Sequence, residues 1–341
     1  MAEEHEALTR AFSGLGVDES SLLTVITKWR KQPEKRRGFR SSSPFFKPHG
    51  SFERCEDDFV RSLKVEFARF KNITVLWAMH PWERDARWIH HVLHKAHPFN
   101  IIVEIACTRS SDELLGARKA YHALFHHSIE EDVAYRVKEN YCNVRTSFLF
   151  CPTSSNSDTI WIMKIYRPKR SMYLQLLVGL VSAYRYEGSR VDDEIAKSEA
   201  KALGHAIKNA GSKDPVENYE AIRILTTRSK THLKETFRHY NEIYGKSIEQ
   251  EFADESCLGE TVQCLGSSAS YFSKVIDKAF GEAADKIAQD ALTRVVVSRS
   301  DVDIEEIKAV YEKQYKAKLE DKIVKNTRGN YRDALLSLVG M

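Results

Sequence analysis

The chain has 341 residues, of which 42% are hydrophobic and 29% charged, with 15 Gly and 8 Pro. That composition excludes a disordered or collagen-like polymer, and the length exceeds what one core usually serves, so a repeated unit or several domains is expected. The 52 basic and 48 acidic residues leave a formal net charge of +4, which gives a nucleic-acid partner no global support, and none is expected.

The first segment, MAEEHEALTR, is charged and lacks the apolar stretch of a secretion signal. Next, between two helical patterns, stands Ala11-Phe12-Ser13-Gly14-Leu15-Gly16-Val17-Asp18-Glu19. Two glycines separated by one residue let the backbone turn sharply and expose successive carbonyl oxygens. A hard cation such as calcium takes roughly six to eight oxygens and accepts carbonyls, so this loop needs only one carboxylate from elsewhere. Glu66, in VRSLKVEFARF, is the candidate. The stretch from Arg30 to Phe52, RKQPEKRRGFRSSSPFFKPHGSF, is rich in Pro, Ser and Arg and reads as a long basic loop or partly disordered insertion. Such runs are usually solvated, but beside an anionic leaflet each of Arg30, Lys31, Lys35, Arg36, Arg37, Arg40 and Lys47 adds on the order of 1 kcal/mol.

Further along, a pattern recurs around Arg109, Arg228 and Arg299, in TRS, TRS and SRS. Four residues before these anchors stand Ile105, Ile224 and Val295, and five after them Leu114, Leu233 and Ile304. Twelve after them stand Tyr121, Tyr240 and Tyr311, and Ile129-Glu130, Ile248-Glu249 and Leu319-Glu320 begin at plus twenty. Aligning Leu22 with Leu292 adds a divergent first copy, in which Trp29 stands where the others have Arg. Ile304, Ile307, Val310, Tyr311, Tyr315 and Leu319 recur at threes and fours, an amphipathic helix. Ser110 with Glu113, and Ser300 with Asp303, resemble N-terminal capping pairs. No segment alternates with period two for long, so an all-α fold is expected. Residues 144–171 lack periodicity and read as a second insertion, and the apolar run Leu174 to Val181 is too short to span a bilayer. Six cysteines, without a C-x-x-C pair, read as reduced thiols of a cytoplasmic protein.

The loop FSGLGVDE, the downstream glutamate, the repeated helical unit, and the stretches ACTRSSDELLGARKAYHALFHHSIEEDV, SAYRYEG, LTTRS and WAMHPWERDA resemble the annexin family, its plant members in particular. The resemblance implies four repeats of about five helices each, arranged as a curved disc, at 1–88, 89–188, 200–270 and 272–341. It also implies Ca2+ in convex-face loops bridging the protein to acidic phospholipid membranes. One ion would be held by the carbonyls of Phe12, Gly14 and Gly16 and the carboxylate of Glu66, with Leu15 touching the bilayer interface. The protein implied is cytoplasmic, peripheral on membranes when calcium rises, and no enzyme; F-actin and another annexin are further partners of that family.

The departures from the family pattern narrow this expectation. Val17 replaces the usual Thr, and the basic insertion lengthens the path to Glu66, although a longer loop costs little in closure entropy. The corresponding loops at His94 to Asn100, Asn209 to Pro215 and Phe280 to Asp285 have lost glycines or bear histidines, and Asn326 stands where the family has a carboxylate. Membrane binding is therefore expected to rest mainly on the first repeat, without avidity from several sites. The position of a family histidine tied to haem-like peroxidase activity falls on Lys28. His90, His91, His94, His97, His126 and His127 lack zinc-site spacing and read as solvated or capping residues. Ile222-Arg223-Ile224 matches a motif proposed for F-actin, yet Ile224 falls on the core face of its helix. The competing expectation is a calcium-independent helical scaffold that binds actin or anionic partners through basic residues.

Overall fold

The computed structural model describes residues 2–13, 19–56, 69–94, 99–136, 174–209, 219–251, 257–281 and 286–340; the second insertion, 144–171, lies outside them. The chain divides into two compact units, Met1–Arg84 with Ala269–Met341, and Asp85–Ser268. Among the described residues no helix is long and apolar enough to cross a membrane.

In the Asp85–Ser268 unit the repeat becomes a backbone pattern. Helix Asn100–Thr108 ends at Arg109, and Ser110 opens helix Ser111–Phe125 with a reciprocal capping box to Glu113, which satisfies two donors that the helix start would otherwise leave unpaired. Helix Tyr219–Thr227 likewise ends before Arg228, and the Ser229 hydroxyl caps helix Lys230–Tyr244 by accepting from the His232 N–H. Both second helices stop at a left-handed residue, His126 at φ 63° and Gly245 at φ 72°. Ile105, Leu114, Ile224 and Leu233 are all buried, each worth roughly 1.5–3 kcal/mol of transfer free energy. Helix Asp193–Asn209 packs on Lys230–Tyr244, and Cys257–Gly266 on Asn100–Thr108. Residues 174–181 form a helix with Leu176, Leu177, Leu180 and Val181 buried. Cys107, Cys257 and Cys264 are buried and outside any disulfide, as is Cys55 in the other unit.

Met1–Arg84 and Ala269–Met341 carry the first and last copies. Lys286–Arg299, Ile304–Tyr315 and Leu319–Asn326 repeat the pattern, with Lys316 left-handed at φ 55°. The expected capping pair Ser300/Asp303 does not form. Asp303 instead holds the Arg299 guanidinium through two bonds of 2.7 and 2.6 Å, while the Ser300 hydroxyl donates to the Val297 carbonyl. The carboxylate is drawn to the Arg299 cation, whose burial the sequence does not display. In the first copy Trp29 ends its helix, Glu19–Trp29, as Arg299 ends Lys286–Arg299, and Arg30 is the first residue beyond it, as Arg109 and Arg228 are beyond theirs. Trp29 is fully buried, and Arg30 donates to the Leu338 carbonyl and to Glu305.

The basic stretch is ordered, which corrects its reading as a loop. Pro33 starts helix Pro33–Ser42, where its missing N–H costs nothing. An antiparallel hairpin follows, Phe46–His49 with Phe52–Cys55, joined by two residues with Gly50 at φ 61°. Phe46, Phe52 and Cys55 are buried, and the Cys55 N–H donates to Glu83, itself wholly buried, at 2.8 Å. The Phe39 and Phe46 rings meet edge-on at 6.1 Å. Four residues per strand are too few for alternation to stand out in the sequence.

The repeated tyrosines are pinned through their hydroxyls. Tyr121 donates to Asp132 at 2.5 Å and Tyr240 to Glu251 at 3.4 Å, each acceptor eleven residues on. In the last copy that position is Lys322, and Tyr311 turns instead to Asp277 at 2.8 Å. Burial and the neighbouring carboxylate push all three phenol pKa values upward.

Candidate functional site

Of the four expected calcium ligands, Gly14, Gly16 and Glu66 lie outside the described residues, as does Leu15. Phe12 sits one residue before the end of helix Ala2–Ser13. Its carbonyl is therefore among the last four of the helix, which have no N–H partner four residues on. The negative end of the helix dipole lies there too, so the donor type and the local field both suit a hard cation.

Helices Ala2–Ser13 and Glu19–Trp29 run antiparallel, because the start of one meets the end of the other. Glu4 accepts from the Trp29 indole at 3.3 Å and pairs with Lys28 at 3.3 Å. Leu8, Leu22, Val25 and Ile26 seal the helix pair. Ser13 and Glu19, which bound residues 14–18, thus lie at the end of the pair opposite the Glu4 contact.

On the carboxylate side, helix Arg69–Ala78 begins three residues beyond Glu66. Its last three carbonyls each accept from an arginine: Leu76 from Arg84 at 3.3 Å, Trp77 from Arg36 at 3.5 Å, and Ala78 from Arg40 at 3.2 Å. Guanidinium groups at a helix C-terminus satisfy orphan acceptors and oppose the dipole. Arg36 also pairs with Asp301 and lies 5.3 Å from the centre of the Trp77 ring, while Arg40 bonds Glu53 at 3.1 Å. Burial lowers the Arg40 pKa against the pull of Glu53, and the same pair holds the Glu53 carboxyl below its ordinary value although its own burial acts the other way. His80, next to this cluster, is pushed down to about 4 by burial and by Arg40, so its ring is neutral at pH 7.

This arrangement consumes most of the charge once expected to face a membrane. Arg30, Lys31, Arg36, Arg40 and Lys47 all have carboxylate partners, and Arg36 and Arg40 are 5% and 6% exposed. Composition shows seven basic residues; only the fold shows that two of them are helix caps. Arginines spaced four apart on a helix, at 36 and 40, were the one available signal.

The other three loops are described only in part. His94 ends helix Pro81–His94, its ring stacked on His90 at 3.9 Å, and His90 stacks on Phe125 at 3.8 Å. Asn209 ends its helix, Phe280 and Gly281 follow helix Ser268–Ala279, and residues 95–98, 210–218 and 282–285 lie outside the description. The Asn326 amide donates to the Lys322 carbonyl at 2.8 Å and so serves its own helix end. Among the described residues no group of three metal-ligating side chains occurs. Ile222 and Ile224 are buried, and Arg223 is engaged by Glu199 and Glu220, so the tripeptide matching an actin motif forms part of the core and its ion-pair rim.

The family model described as Annexin matches residues 198–260 and 274–338. Annexin D4 of Arabidopsis thaliana is 44% identical over 345 residues, spanning 98% of this chain and 97% of that protein. Among solved structures, annexin III superposes with a TM-score of 0.74 at 22% identity, over 99% of this chain and 93% of its own. Calcium-bound annexin (Sm)1 does so with a TM-score of 0.70 at 18% identity, over 99% and 89%.

Proposed function

Because the chain belongs to the annexin family, we propose that it binds acidic phospholipid membranes through calcium held mainly in its first repeat. Calcium-dependent phospholipid binding is the general activity of that family, and a structural relative is calcium-bound by its own description. In this reading the carbonyls of Phe12, Gly14 and Gly16 and the carboxylate of Glu66 hold the ion, and the ion supplies a charge bridge to lipid phosphate. The observation that carries it is the placement of Phe12 in the last turn of helix Ala2–Ser13, directly before the two-glycine stretch. The repeat partition at 1–88, 89–188, 200–270 and 272–341, the peripheral placement at the cytoplasmic face and the absence of catalytic turnover belong to the same reading.

The chain's own residues do the positioning. Glu4, Leu8, Leu22 and Trp29 fix the two helices that bracket the loop, and Arg36, Arg40 and Arg84 fix the helix that follows Glu66. The electrostatic scaffold is the weaker reading, because five of the seven basic residues between Arg30 and Lys47 are ion-paired internally.

Glu66→Gln tests the assignment, since an amide is neutral and a poorer calcium ligand. At fixed calcium, affinity for phosphatidylserine vesicles should fall at least about tenfold, with the circular dichroism spectrum unchanged. An unaltered calcium titration would remove Glu66 from the site.

A further inference from the structure

In copies two, three and four, the helix that follows the left-handed turn starts at equivalent positions, Ile129, Ile248 and Leu319. Around the first two the chain is acidic. Residues 126–138 hold Arg136 and Lys138 against Glu130, Glu131 and Asp132, and residues 245–257 hold Lys246 against four carboxylates. The same window in the last copy, 316–328, holds five basic residues and two acidic ones.

The inversion works against the helix it sits on. At the capping position, Ser128 forms a reciprocal box with Glu131, and the Ser247 N–H meets Gln250. Lys318, their counterpart, makes no side-chain cap and places a cation at the positive end of a helix dipole. Losing such a cap costs about 1 kcal/mol. Three residues on from Asp132 and Glu251, which hold the repeated tyrosines, come Tyr135 and Asp254; in the last copy the same two positions are Lys322 and Lys325. Departures from local preference without a packing gain mark positions kept for something other than the fold.

Lys318, Lys322 and Lys325 are spaced by four and three, so they form one stripe along helix Leu319–Asn326, about 10 Å long at 1.5 Å per residue. Among the described residues none of the three, nor Arg328 beyond them, has an ion-pair partner, whereas the acidic Glu320 of the same helix is neutralised by Lys308 at 2.6 Å. Lys318, Lys325 and Arg328 are exposed. Asn326, at the position where the family keeps a calcium carboxylate, lies at the end of the stripe.

We propose that this stripe is a direct anion contact for phospholipid headgroups, through which the last repeat touches an acidic membrane without calcium. Lysine ammonium groups supply the positive charge that a bridging ion supplies elsewhere. The proposal shares its partner, an acidic membrane, with the function proposed above, but it needs neither Glu66 nor calcium.

The test is sedimentation with phosphatidylserine vesicles in chelator at low salt, comparing the wild type with Lys318→Ser, Lys322→Gln, Lys325→Gln combined. Serine restores the cap, so the variant keeps its helix. Neutralising three lysines should weaken calcium-free binding on the order of 100-fold. The combined control Lys197→Ala, Lys201→Ala, Lys234→Ala removes the same charge from exposed positions of the other unit and should change it less than about twofold. Glu66→Gln should leave this arm untouched, while the stripe variant should keep its calcium-dependent increment, so the two readings fail separately. Equal losses in stripe and control variants, no loss in either, or wild-type binding to single-stranded RNA in place of vesicles would each overturn the proposal.

Discussion

Arg109→Ala should destabilise the Asp85–Ser268 unit by roughly 3–5 kcal/mol, because it strands a buried carboxylate. Arg109 donates to Asp85 through Nε at 2.6 Å and a terminal nitrogen at 2.9 Å, with the two side chains 8% and 3% exposed. Burial alone would lower the arginine pKa, yet the paired Asp85 carries it above the ordinary value. Arg109→Lys should recover little, since an ammonium lacks the two-pronged geometry. Urea unfolding of the two variants and of Asp85→Asn provides the measurement. A loss below about 1 kcal/mol for Arg109→Ala would mean that water reaches the pair and screens it. Arg228 with Glu199 and Arg299 with Asp303 repeat the arrangement with carboxylates drawn from different positions, so the anchors found in the sequence are structural pins.

The second large effect concerns the arginine cap. Arg36→Ala and Arg40→Ala should each cost about 2–3 kcal/mol, the range for charge-assisted hydrogen bonds that leave a partner behind. Asp301 and the Trp77 carbonyl lose Arg36, and Glu53 and the Ala78 carbonyl lose Arg40. The Arg40–Glu53 contribution has a defined pH window. Glu53 is held below its ordinary 4.5, so its contribution is present above that value and is lost as pH falls through the lowered pKa. Thermal unfolding at pH 7 reads both variants, alongside calcium-free vesicle binding. If these arginines instead served a membrane, vesicle binding would drop while the unfolding temperature stayed within about 1 °C of wild type.

What the sequence made legible followed local periodicity. The anchor arginines, the buried Ile and Leu flanking them, the repeated tyrosines and the Ser110 box all depend on spacing within one helix or one turn, and all appear where the spacing puts them. The misreadings involve a partner far along the chain or a competition between neighbours that burial decides. Arg36 looks solvated until Asp301, 265 residues away, is brought beside it. Ser300 looks like a cap until Arg299 claims Asp303. The first copy is divergent because a buried Trp29 ends its helix where Arg299 ends the last copy's, with Arg30 following it. Of the candidate ion site only Phe12 falls in a described segment, and its place in a final helical turn gives that assignment its physical support.

The most direct measurement is sedimentation of the whole protein with phosphatidylserine vesicles, in calcium and in chelator, at moderate salt where lysine contacts are largely screened. The account predicts binding that requires calcium and persists at that salt. Equal binding in calcium and chelator, removed by salt alone, would contradict it.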